Sequence, residues 1–268
     1  MLAPELFRRF SDLAHSRAGI ALKEGKETLV ESRIAKRISA LGLADAAAYA
    51  DYLDSHDGEE IVQFLDVIST NFTSFFREPD HFERLSEEAA RWRAEGRERV
   101  RVWCAASSTG EEPYTLVMTL HEVLGDSLDW KLLATDISTR VLDAARRGRF
   151  AEDRLRGLDP ALRQRYFTAA PQGPGETPEW QFRSPHRERA SFGRLNLAKP
   201  PFPLSGPLDA IFCRNVMIYF DAETRQGVVS EAERLLRPGG LLFIGHAETL
   251  NGLRTGLVLE RPSVFRRR

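Results

Sequence analysis

The run Val100-Arg-Val-Trp-Cys-Ala-Ala-Ser-Ser-Thr-Gly-Glu-Glu112 constrains the fold more than any other part of the chain. Its apolar start, Val100–Ala105, has the length and composition of a buried strand. Small residues and one glycine, Gly110, follow, and a helix is expected from about Pro113. Strand, tight turn and helix form the repeating unit of a doubly wound α/β sheet. There, small side chains let a ligand approach the backbone at a helix N-terminus. A dinucleotide pyrophosphate wants G-x-G-x-x-G, and only Gly110 is present, so a nicotinamide cofactor is disfavoured. Glu111 and Glu112 stand where a phosphate would want positive potential. Acids at this turn suit a ligand with an amino group or a cationic centre, of which S-adenosylmethionine is one.

The rest of the chain supports an α/β reading with a helical front. Leu6, Phe7, Phe10, Leu13 and Ala14 recur at helical spacing, as do Leu29, Val30, Ile34, Ile38 and Leu41 before Gly42. Further helices fit 45–54 and 59–69. Strand signals begin near Arg99. This predicts a helical N-terminal domain over 1–85, a charged linker over 86–98 and an α/β domain over 99–268. Within that domain, strands are expected at 131–135, ending in Asp136, at 208–213 and at 241–245. Helices carry Val141, Leu142 and Ala145, with Ser138 as cap, and span 223–236. Arg237-Pro-Gly-Gly240 reads as a turn, and 256–260 with 263–266 as a closing antiparallel hairpin. Such alternation argues a mostly parallel sheet. Residues 148–190 interrupt it with five prolines, as a mobile loop or an inserted subdomain.

Bulk properties exclude several classes. A formal net charge of −1 over 268 residues gives no global argument for nucleic acid. Cys104 and Cys213 lie in apolar runs and read as buried small hydrophobes, so neither a disulfide nor a metal site is indicated. The first residues form no signal peptide, and no apolar run approaches the roughly 20 residues that span a bilayer. A cytoplasmic protein, not inserted in a membrane, is expected, and a monomer.

Three places carry candidate chemistry. Asp136, at the C-terminal end of a strand, suits the ribose hydroxyls of an adenosine, while Ser138 serves the next helix as cap. In Asn71-Phe-Thr-Ser-Phe-Phe-Arg77 the aromatics fit a core better than a cofactor box. Arg214, Asn215 and Tyr219 fall at the C-terminal sheet edge, where such folds put their sites; a capped helix start with a half-buried tyrosine explains them equally well. No Ser-His-Asp or metal-ligand constellation is evident, and His246 reads as a structural hydrogen-bonding residue.

Taken together, Asn-Phe-Thr-Ser-Phe-Phe-Arg, Ala-Ala-Ser-Ser-Thr-Gly-Glu-Glu-Pro-Tyr, Ala-Thr-Asp-Ile-Ser, Cys-Arg-Asn-Val-Met-Ile-Tyr-Phe-Asp and Leu-Arg-Pro-Gly-Gly resemble the bacterial chemotaxis receptor methyltransferases, the CheR family. The resemblance runs in order through nearly the whole chain. It implies a class I S-adenosylmethionine-dependent methyltransferase, a Rossmann-like doubly wound sheet with a small all-α N-terminal domain and a small β insert. The implied activity is methylation of glutamate side chains on the cytoplasmic helical domains of chemoreceptors, with S-adenosyl-L-homocysteine as product. It further implies that Asn71, Thr73 and Arg77 line the cofactor site from the interdomain side. Glu111 would hold the methionine amino group, Asp136 the ribose, Asn196 and Leu197 the adenine, and Arg214 and Asn215 the region beside the sulfonium. Arg77 and Tyr219 correspond to the residues nearest the transferred methyl. One departure is Trp-Cys-Ala-Ala-Ser-Ser, where many members are smaller or richer in glycine.

A polyacidic helical substrate implies a basic docking face. Lys26, Arg33, Lys36 and Arg37 lie on the polar side of the second helix, opposite Ile34 and Ile38. Two alternatives stand beside this reading. One is a methyltransferase of the same fold acting on nucleic acid or a small molecule, although Arg-Asn-Val-Met-Ile-Tyr lacks the prolines of the DNA amino-methyltransferase turn. The other is a non-catalytic adenosine-binding module, against which both Arg77 and Tyr219 are retained.

Overall fold

The computed structural model describes residues 2–56, 58–69, 72–171 and 177–268. The N-terminal cluster holds α1 (Pro4–Ala18), α2 (Glu27–Leu41), α3 (Ala46–Ser55) and α4 (Glu59–Ile68). Each buries one apolar stripe. Phe10, Ile34, Tyr49 and Phe64 meet at its centre, fully buried. Gly19 and Gly42 end α1 and α2 in the left-handed conformation that glycine adopts without a Cβ penalty.

Next comes α5 (Pro79–Ala94), followed by β1 (Arg99–Cys104), α6 (Glu111–Leu124), β2 (Asp129–Asp136) and α7 (Thr139–Arg147). The expected linker over 86–98 is helical through Ala94. Its Ala89 and Trp92 join Phe82 and Leu85 in one core with β1 and α6, so α5 packs on the sheet. Helix α6 begins at Glu111, two residues ahead of the expected start, and nearly all of it is buried.

The insert comprises β3 (Arg149–Ala151), a short 3-10 turn at Glu152–Leu155, α8 (Pro160–Tyr166), β4 (Phe167–Ala169), β5 (Glu179–Phe182) and α9 (Ser184–Arg187). Its strands pair antiparallel in the order β3-β5-β4. Phe150 and Phe182 pack against Tyr114 of α6, and Tyr166 and Phe167 pack on Phe182, so the insert shares the main core.

The chain closes with β6 (Ala190–Arg194), β7 (Leu208–Cys213), α10 (Ala222–Leu235), β8 (Leu236–Ile244), β9 (Leu257–Arg261) and β10 (Val264–Arg267). The central sheet has the order β6-β2-β1-β7-β8-β10-β9. Its first five strands are parallel, and β10 and β9 form the antiparallel closing hairpin. The fold is α/β with a doubly wound, mostly parallel sheet, as the sequence indicated. Two details differ. Strand β6 was missed because Ala-Ser-Phe-Gly-Arg is a half-exposed edge without alternation. Strand β8 begins at Leu236, and the Arg-Pro-Gly-Gly turn is absorbed as an irregularity opposite Leu208 and Ala210. Gly240 is needed there: a Cβ would lie 3.0 Å from the Arg237 carbonyl oxygen. Among the described residues no helix is long and apolar enough to cross a membrane.

Candidate active site

The turn after β1 is folded onto the end of β2. Ser107 N–H donates to the Thr135 carbonyl at 2.9 Å, and Ser108, at φ 47°, turns its N–H onto Asp136 Oδ2 at 2.9 Å. Gly110 has φ 105°, and a Cβ on it would stand 3.1 Å from Ala145. A larger residue would therefore displace α7 or the turn. Asp136 Oδ1 accepts from Ser138 N–H at 3.0 Å, while the Ser138 hydroxyl caps α7 through Val141 N–H. Burial raises the Asp136 pKa above its ordinary value, opposed by the Ser138 and Ser108 amides.

The helical cluster closes over this sheet edge. Asn196 Nδ2 donates to the Arg17 carbonyl at 2.6 Å, and Ala21 N–H to the Tyr219 carbonyl at 2.8 Å. Ile20 bridges to Phe220, and His15 Nε2 lies 2.7 Å from Asp221 Oδ2. Between the two parts lies a cleft of about 590 Å³. Thr73, Arg77, Asp136, Asn196, Leu197, Arg214, Asn215 and Tyr219 all line it, as do Lys26 and Arg33. Residues far apart in sequence thus converge as expected. Asn71 lies outside the described residues.

Glu111 does not line the cleft. Its carboxylate is buried beneath Arg154 of the insert, whose Nε donates to Oε1 at 2.9 Å, while Thr109 Oγ1 donates to Oε2 at 2.6 Å. The acid that faces the cleft is Glu112. Burial pushes its pKa up, opposed by the Arg214 guanidinium 3.0 Å away. Arg214 is itself fully enclosed. It donates to Glu112, to Glu78 Oε2 at 3.0 Å and to the Arg77 carbonyl, and it lies over the Phe82 ring. Glu78 also accepts from Asn215 Nδ2 at 3.1 Å. A buried cation between two carboxylates fixes the floor of the cleft and the backbone of Arg77.

The aromatics of 72–77 divide. Phe75 packs edge-on to Phe150 and Phe167, and Phe76 packs on Phe82, as a core role requires. Phe72 is exposed and lines the cleft, with the Arg77 guanidinium 5.8 Å from its ring centroid. Sequence reasoning missed Glu112, Glu78, Ser108 and Arg154. Only Glu112 carried a local signal, as the second acid of the turn.

The proposed basic face of α2 is broken up. Arg37 binds Glu60 through Nε at 3.0 Å and Nη2 at 2.5 Å, and Glu60 also accepts from the Tyr49 hydroxyl. Arg33 donates to the Ile68 carbonyl. Both therefore tie α2 to the α4 side. Lys36 is exposed, and Lys26 is exposed at the cleft mouth.

The cleft has small residues beneath it and two buried acids, Glu112 and Asp136, in its lining, which is the setting of a ligand site in an α/β fold. Residues 71–260 match the family described as CheR methyltransferase, SAM binding domain, and residues 5–69 match CheR methyltransferase, all-alpha domain. The Chemotaxis protein methyltransferase of Escherichia coli K12 is 42% identical over 262 residues, covering 97% of this chain and 89% of that one. Chemotaxis protein methyltransferase 2 of Pseudomonas aeruginosa PAO1 is 40% identical over 249 residues, covering 91% and 86%. The chain belongs to the CheR family of S-adenosylmethionine-dependent methyltransferases of chemotaxis.

Proposed function

We propose that this enzyme methylates glutamate carboxylates on the cytoplasmic helical domains of chemoreceptors, giving methyl esters and S-adenosyl-L-homocysteine. The observation that carries the reading is the shared cleft: Asp136 at the sheet edge, Arg77 and Tyr219 line one space. The donor set suits S-adenosylmethionine. Asp136 would take the ribose hydroxyls, Asn196 and Leu197 would flank the adenine, and Thr73 and Arg77 would serve the methionyl end. Glu111 already carries the Arg154 guanidinium, and of the two adjacent acids Glu112 is the one that lines the cleft. When bound, the cofactor supplies an electrophilic methyl on sulfur.

The chain's own task is then positional. A glutamate has an ordinary pKa of about 4.3, so the substrate is already a nucleophile at neutral pH and needs no general base. With the cofactor bound, the substrate carboxylate would take the methyl and sulfur would keep the electron pair of the broken bond, so no residue of the chain has to move a proton. Arg77 and Tyr219 orient the incoming carboxylate, and Arg214 with Asn215 shape the floor beneath it. Phe72 and the helical cluster exclude water. The division into a helical docking domain, an α/β catalytic domain and the 148–190 insert belongs to the same reading. The test is transfer of labelled methyl from the cofactor to receptor membranes, with release of the label as methanol by base. Label that resists base, or that goes to nucleic acid, would overturn the carboxylate assignment.

A further inference from the structure

Three histidine and carboxylate side chains meet behind the cleft floor. His81, in the first turn of α5, is fully buried, and neither ring nitrogen has a hydrogen-bond partner among the described residues. Its Nδ1 lies 3.5 Å from Glu78 Oε2, and its Nε2 lies 4.0 Å from Asp80 Oδ2. His246, from the loop after β8, stacks edge-on against it with ring centroids 4.9 Å apart. One ligand atom from each of Glu78, His81 and His246 falls within 4.8 Å of the others. An imidazole buried with both nitrogens unpaired is costly, and imidazole with carboxylate is the donor set of a divalent transition metal.

We propose that Glu78, His81 and His246 form a binding site for a divalent transition metal ion of the zinc class, with solvent at the remaining position. Ligands about 2.0–2.2 Å from a tetrahedral ion stand closer together than these do. The contraction falls to His246, which is half exposed and whose Nε2 now lies 3.1 Å from Asp80 Oδ2. Its exposure is also the route of entry. The site touches the cleft at one point: Glu78 also holds Arg214 and Asn215. Metal bound through Glu78 competes with those two bonds and slows methyl transfer.

Titration of metal-free protein with Zn2+ by calorimetry tests this, with Co2+ absorption reporting imidazole ligation and tetrahedral geometry. One ion per chain is expected. His246→Ala should weaken it by more than about tenfold, since even the loss of a ligand's outer partner costs that much. His246 is half exposed, and a thermal melt checks that the variant folds. His121→Ala, which disrupts the separate His121–His186 ring pair 4.3 Å apart, should leave the affinity unchanged. Absence of binding, wild-type affinity in His246→Ala, or loss of binding in His121→Ala alone would each overturn the site.

Discussion

The Arg154 guanidinium lies on the buried carboxylate of Glu111, so a side chain of the insert closes on the first residue of α6. The same guanidinium donates to the Thr73 carbonyl at 3.0 Å. One residue thus ties the insert both to the acid expected to take the cofactor's amino group and to the loop that carries Arg77. Arg154→Ala leaves that buried carboxylate without its cation and with only the Thr109 hydroxyl as donor, and stability should fall by about 1–3 kcal/mol. If Glu111 receives the cofactor's ammonium, the variant should bind S-adenosyl-L-homocysteine up to about tenfold more tightly, because a competing cation is gone. Calorimetry against wild type decides. Unchanged affinity would remove Glu111 from cofactor binding and leave Glu112 in that role.

Asp136→Ala should weaken cofactor binding by about 1–3 kcal/mol, since buried hydroxyls lose a charged acceptor. The residue also accepts the Ser108 and Ser138 amides, so the melting temperature should drop as well. Asp136→Asn keeps an acceptor oxygen and should show a smaller drop in melting temperature. A normal affinity in both variants would confine Asp136 to holding the turn.

Arg77→Ala and Tyr219→Phe should lower kcat more than they weaken cofactor binding. Both line the same cleft as Asp136, and orienting a carboxylate against a methyl is felt mainly in the transition state. Single-turnover rates beside calorimetric affinities separate the two effects. Parallel losses would make these side chains simple cofactor contacts.

Helix periods, the β1 turn and Asp136 were legible in sequence because each is local: a strand–turn–helix unit or an apolar stripe states its own geometry. What long-range closure creates was not. Glu78 and His81 stand some 165 residues before His246, and only the packing of the start of α5 on the end of β8 brings the three together. Arg37 shows the reverse error. On a helical wheel it shares the polar face with Lys36, but α4 supplies Glu60 and converts a surface charge into an interior tie. Glu111 and Glu112 are likewise indistinguishable in sequence, and only the insert's Arg154 separates them.

Asp221 joins cap and domain contact. Its Oδ1 accepts Thr224 N–H at 2.7 Å, and its Oδ2 meets His15 at 2.7 Å. The Thr224 amide first, then His15, lower its pKa to about 2. A carboxyl depressed in the folded state adds stability above its ordinary value of 3.8, and that stability is lost as pH falls from there toward 2. The side chain is more than a third exposed, so screening limits the contribution to less than about 1 kcal/mol. Asp221→Asn retains a good cap and should flatten this part of the urea-stability profile. An identical profile would assign the whole effect to other acids.

The docking surface gives the last expectation. Like charges facing a cluster of substrate glutamates are penalised, so reversing a true docking face should slow receptor methylation and spare cofactor binding. Lys26 and Lys36 are exposed. Lys26→Glu with Lys36→Glu should therefore cut the methylation rate on receptor membranes, most strongly at low salt, with no change in melting temperature. Arg37→Glu should behave differently. It places a second carboxylate beside Glu60 and breaks a bidentate pair in which Glu60 is nearly buried, so a stability loss of about 3 kcal/mol is expected before any effect on docking. Arg33 donates to the Ile68 carbonyl and shares this structural burden. A wild-type rate in the double lysine variant, at every salt concentration, would reject α2 as the docking element and direct the search to the insert.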